Sequence, residues 1–101
     1  MLFAFSVAPA VTEDATGSVS RAVAAAIRVV RESGLPNRTD AMFTTIQGEW
    51  DECLEVIKGA VDAVAAVSPR VSLVVKADIR PGFSGELDGK VERLESALSE
   101  G

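Results

Sequence analysis

Histidine and tyrosine are missing from this 101-residue chain, and cysteine and tryptophan occur once each. Without histidine there is no imidazole general base, no Ser-His-Asp triad and no His-ligated metal. A single cysteine, Cys53, excludes an intramolecular disulfide and fits a reducing compartment. It falls within an apolar helical pattern, where a thiol acts as a small core residue. Basic residues are scarce as well. Ten of them stand against 15 acidic ones, for a formal net charge of −5. That balance argues against nucleic acid, whose phosphates require a concentrated basic surface. No segment approaches the roughly 20 apolar residues of a membrane span. The apolar start, MLFAFSVAPA, lacks the positive region that opens a secretory signal, so a buried first strand in a cytoplasmic protein is expected. No acidic loop of the EF-hand kind and no GxxxxGK phosphate loop is present, so neither a metal nor a nucleotide cofactor is expected. No residue pair forms a catalytic dyad.

What the chain does have is apolar residues, 48% of the total, in a length that suits one domain spanning 1–101. So short a chain buries only about 60–65% of the surface it exposes when unfolded. Apolar surface left over after folding marks an interface.

Residues 2–8 form an apolar run closed by Pro9, as a central strand would, and a polar stretch runs on to Gly17. Ser18 or Ser20 can cap the next element. From Val19 onward, Ala22, Val23, Ala26, Ile27 and Val30 keep helical spacing, and Gly34 and Pro36 stop that helix. Residues 37–48 favour extended chain, as two short strands or one bent one. Trp50, Cys53, Leu54, Ile57, Val61 and Val64 mark one face of a second helix. Gly59 weakens it by about 1 kcal/mol relative to alanine without breaking it.

Residues 70–80 alternate as a strand does, ending in VVKADIRPG. Val75, Ala77 and Ile79 are expected in the core, with Lys76, Asp78 and Arg80 on the opposite face. A last helix over about Gly85–Ser99 carries Leu87, Val91, Leu94 and Leu98 on one stripe. The order β-α-β-β-α-β plus a helix predicts an α+β fold: a ferredoxin-like sandwich with an extra C-terminal helix. Two helices cover one sheet face; the other is left for solvent, a ligand or a partner.

Two polar groups stand out. Lys76, Asp78 and Arg80 form a row on the uncovered face, either solvated or set within a subunit interface. Thr44, Thr45, Gln47, Gly48 and Glu49 cluster at the entry to the second helix. There Glu49 suits a helix start and Gln47 offers both a donor and an acceptor to a heteroaromatic amine. Trp50 beside them suits the core better than a stacking platform.

The stretches SVSRAVAAAIRVVRESGL, DAMFTTIQGEWDECLEVIK and PRVSLVVKADIRPG together resemble the family of small thiamine-binding proteins, over nearly the whole chain. The resemblance implies a cytoplasmic homo-oligomer, a homodimer or a homotetramer built from dimers whose open sheet faces meet. It implies thiamine or its aminopyrimidine as ligand, near subunit interfaces, and no enzymatic turnover. Mapped onto this chain, the family's pattern falls on Ser20, Thr44, Gly48, Glu49, Lys76, Asp78 and Arg80. Phe43 stands where many relatives have glycine, and Gln47 where they commonly have glutamate. The ligand residues expected are Ser20, Phe43, Thr44, Gln47, Glu49 and Asp78, with Lys76 and Arg80 organising the interface. Two other classes stay open: a structural or regulatory module with no vitamin ligand, and an oxygenase of ferredoxin-like fold, which the missing histidine and tyrosine disfavour.

Overall fold

The structure is a computed structural model that describes residues 1–10, 18–82 and 85–100. The polar stretch running to Gly17 lies outside those residues. Strand β1 (Leu2–Pro9) leads to helix α1 (Ser18–Glu32), then to strands β2 (Asn37–Thr39) and β3 (Thr44–Gln47). Helix α2 (Trp50–Ala65), strand β4 (Val71–Asp78) and helix α3 (Glu86–Glu100) follow. The four strands form one antiparallel sheet in the order β2-β3-β1-β4. This is the ferredoxin-like arrangement, with α3 added.

Alternation along β1 decides what each sheet face carries. Phe3, Phe5 and Val7 point to the helix side and are buried with Ile46 of β3. Small residues at four-residue intervals, Ala22, Ala26 and Val30, form the buried stripe of α1. Cys53, Ile57, Ala60 and Val64 form that of α2. The two helices come so close that a Cβ on Gly59 would lie 3.0 Å from Val29 Cγ1. Close helix packing therefore accounts for a glycine inside α2, despite its cost in helix propensity.

Two expectations need correction. Val75 lies on the helix side, opposite Phe5, and Ala77 opposite Phe3, as alternation requires. They are nonetheless exposed, because β4 is an edge strand that α2 does not reach across. Ile79 lies beyond the end of β4 and is also exposed. Ser20, offered as a possible helix cap, is the third residue of α1 and so sits inside the helix rather than capping it.

The last helix does not lie flat on the sheet. Only its first turns touch the rest of the molecule, and residues 91–100 are exposed throughout. Val91, Leu94 and Leu98 therefore face outward on a projecting arm, and the molecule measures 52 × 29 × 20 Å along its principal axes.

Candidate functional site at the open sheet face

The face away from α1 and α2 is built from the other set of alternating residues. The register places Leu2 between Gln47 and Asp78, and Ala4 between Thr45 and Lys76. Ser6 and Ala8 continue the row beside Val74 and Ser72. Beyond Leu2 the middle strand thus presents only small side chains, Ala4, Ser6 and Ala8, flanked by polar ones apart from Val74. The result is a shallow trough with a hydroxyl, an amide, an ammonium and a carboxylate along it.

One end of the trough is closed by the start of α3, tied to three strands at once. Gln47 Oε1 of β3 accepts the Leu87 backbone N–H at 2.9 Å. That N–H belongs to the first turn of a helix, which has no intrahelical acceptor, so a side chain from β3 does the work of a cap. Arg38 of β2 pairs with Asp88 at 2.6 Å, and Asp78 of β4 pairs with Lys90. The Lys90 ammonium, followed by weaker attraction from Arg80, holds the Asp78 carboxyl below its ordinary value of 3.8. Glu86, the first residue of α3, is buried and takes both guanidinium nitrogens of Arg93, at 2.8 and 3.3 Å. That bidentate pairing holds its carboxyl below the ordinary 4.5, against the opposing push of burial.

The entry to α2 lies at the same end. The Gly48 N–H donates to Met1 O at 3.1 Å. A Cβ on Gly48 would stand 3.2 Å from Cys53 Sγ and 3.3 Å from Glu52 Oε1, so only glycine fits without a shift. Glu49 is the N-cap of α2, and its N–H donates to Glu52 Oε1 at 3.0 Å in a capping box. Trp50 is half-exposed, against the core placement expected, and makes a T-shaped contact with buried Phe3, ring centroids 5.3 Å apart. Burial raises the Cys53 thiol above its ordinary value, which suits a core residue rather than a nucleophile.

The residues expected to share a ligand do not all meet. Gln47, Asp78 and Lys76 come together on the open face, with Arg80 just beyond the strand and electrostatically coupled to Asp78. Glu49 sits beside them but serves as a cap. Thr44 lies on the helix side opposite Phe5, buried, its hydroxyl 3.1 Å from that of Thr39. Phe43 belongs to the β2–β3 turn, where its N–H and that of Met42 donate to Asp40 and lower the carboxyl's pKa. Phe43 and Thr44 instead line a cleft against Val23 and Ile27 of α1. Ser20 is exposed in the first turn of α1, which follows the Pro9 end of β1, whereas Gln47 and Asp78 flank its Leu2 end.

Several participants were not foreseen: Arg38, Glu86, Asp88, Lys90 and Arg93. Only the Glu86–Arg93 pair, two helical turns apart on one face, carries a readable signal. No group of three or more His, Cys, Asp or Glu residues placed to hold a metal occurs among the described residues, and no helix among them is long and apolar enough to cross a membrane.

Residues 3–95 match the model of a family described as "Thiamine-binding protein". The chain is 50% identical over 99 residues to the UPF0045 protein Mb1933 of Mycobacterium bovis, covering 97% of this chain and 94% of that one. It is 34% identical over 82 residues to the UPF0045 protein sll0230 of a Synechocystis species, covering 80% and 68%. Among solved structures, a domain of unknown function, DUF77, from Bacillus cereus superposes with a TM-score of 0.79 at 35% identity, covering 89% and 85%. A candidate thiamine biosynthesis/salvage protein from Thermotoga maritima shares the fold, with a TM-score of 0.72 at 23% identity over 90% and 96%. By sequence over nearly its whole length, and by the fold that sequence adopts, this chain belongs to the thiamine-binding protein family.

Proposed function

We propose that the chain binds thiamine, or its aminopyrimidine moiety, without turning it over, as a cytoplasmic homo-oligomer. Its open sheet face forms the ligand site and meets a second copy. The observation that carries this reading is the family match over residues 3–95, joined to a polar trough on a sheet face that α1 and α2 leave uncovered. An aminopyrimidine presents ring acceptors beside an exocyclic donor. Gln47 retains an amide nitrogen that makes no hydrogen bond among the described residues, and the Thr45 and Ser6 hydroxyls can donate or accept. The Asp78 carboxylate, kept ionised by Lys90, supplies the charge that a cationic thiazolium seeks. The description of the Thermotoga relative as a candidate thiamine biosynthesis/salvage protein supports the same ligand class.

Isothermal titration of the purified protein with thiamine, and separately with its pyrimidine fragment, tests the proposal. Saturable heat with thiamine is expected. No heat at millimolar ligand overturns it.

A second reading, an assembly module with no vitamin ligand, is favoured by one specific observation. Gln47 Oε1 and the Asp78 carboxylate, two groups expected to hold the ligand, already hold α3 in place. Under that reading light scattering reports an oligomer while the titration stays silent.

A further inference from the structure

Two groups at the Leu2 end of the trough are already occupied, and the occupant is α3. Gln47 Oε1 accepts the Leu87 N–H at 2.9 Å, and the Asp78 carboxylate takes the Lys90 ammonium. Each contact has the chemistry of the ligand proposed above. Leu87 supplies an N–H donor where an exocyclic amine would donate. Lys90 supplies a cation where a thiazolium would sit. Gln47 and Asp78 flank Leu2 from opposite sides, so they stand about two strand spacings, ~9–10 Å, apart. Leu87 and Lys90, three residues apart on one side of α3, reach across that gap.

The hold on α3 is light. Leu87 is the one apolar side chain of the helix that is not exposed, so apolar burial contributes little to its docking. The buried Glu86 carboxylate takes its hydrogen bonds from Arg93 of the same helix, and those bonds travel with α3. The tethers to the sheet are polar: the Leu87 N–H on Gln47, Lys90 on Asp78, and Arg38 of β2 on Asp88. Both ion pairs are open to solvent, where such pairs contribute little each.

We propose that α3 is an autoinhibitory clamp: its first two turns imitate the ligand at Gln47 and Asp78, and thiamine binds in competition with their docking. The clamp acts on the site assigned above and so stands on that thiamine reading. The exchange keeps hydrogen bonding and charge in balance, since donor replaces donor at Gln47 and cation replaces cation at Asp78. The coupling is reciprocal: whatever loosens α3 tightens thiamine, and thiamine loosens α3 by the same factor. While α3 is docked, the apparent dissociation constant is raised in proportion to the scarcity of the undocked form.

Asp88→Ala is the discriminating variant, because Asp88 touches no group assigned to the ligand. It removes the partner of Arg38 and with it one tether of α3. Charge alone makes the loss of an anion weaken the binding of a cation, whereas release of the clamp makes binding tighter. In isothermal titration with thiamine, Asp88→Ala is expected to bind about threefold tighter than the native chain, and Lys90→Ala about fivefold tighter. Without ligand, amide exchange at Leu87 is expected to be faster in Asp88→Ala than in the native chain, with Phe5 still protected. In the native chain, saturating thiamine is expected to speed exchange at Leu87 by about threefold or more. Thiamine binding that leaves Leu87 exchange unchanged, or slows it, overturns the clamp and leaves the binding reading standing. So does an Asp88→Ala chain that binds no tighter, or whose Leu87 exchanges no faster, even where Lys90→Ala does. No heat from native chain and variants alike overturns both.

Discussion

Strands β1 and β4 are both eight residues long and pair with each other along their full length, yet they lead different lives. Phe3 and Phe5 of β1 are 1% exposed, while Leu73 and Val75 on the same side of β4 are each 42% exposed. The sequences do not differ enough in apolar content to account for this. Neighbours do: β1 is flanked by two strands and covered by two helices, whereas β4 has a strand on one side only. Burial is a property of position in the sheet, and an apolar residue at the edge is surface waiting for cover.

The difference between the two strands is greatest at their centres. Phe5→Ala should cost about 3–5 kcal/mol in chemical denaturation, because it removes a large side chain that is buried in the core. Val75→Ala, directly opposite, should cost about 1 kcal/mol or less in dilute protein. Equal effects at the two positions would contradict the contrast.

A smaller effect is expected where the covered side meets the entry to α2. Gly48→Ala forces a Cβ against Cys53 Sγ and Glu52 Oε1, and should destabilise the fold by about 1–3 kcal/mol in thermal unfolding. An unchanged melting temperature would show that the packing there relaxes freely.

Gln47→Leu probes the opposite side. It removes the acceptor of the Leu87 N–H and should cost about 0.5–1.5 kcal/mol in the docking of α3, with little effect on the sheet. Hydrogen exchange should show faster exchange at Leu87 and Gly89 and unchanged protection at Phe5.

The gentlest perturbation is acid. Asp78 and Glu86 have folded pKa values depressed below 3.8 and 4.5, so the stability they lend is fully present above those values. It is lost as pH falls through the lowered folded ones. NMR signals of α3 should therefore shift, on acidification below about pH 4, before those of β1 do. Simultaneous loss of both would show that α3 is not held separately.

Much of this architecture is legible in the chain. The apolar run of β1 closed by Pro9, and the Ala22-Ala26-Val30 spacing of α1, specify their elements through period alone. Alternation in VVKADIRPG correctly assigns Lys76 and Asp78 to the open face. It reports which side a residue points to, however, and not whether anything lies there, which is why Val75 and Ala77 were expected in the core. Glu49 was readable as a residue suited to a helix start, because capping is local chemistry. The tethers of α3 were not readable. Arg38 and Asp88 lie 50 residues apart, and Gln47 and Leu87 lie 40 apart, and no local pattern announces such partners.

The most direct measurement is the crystal structure of the protein grown with thiamine. Ligand density is expected in the trough over Ala4 and Ser6, beside Gln47, Thr45 and Asp78. Density in the cleft lined by Phe43, Thr44 and Val23, or in the groove between α1 and α2 beside Glu32 and Glu55, would contradict it.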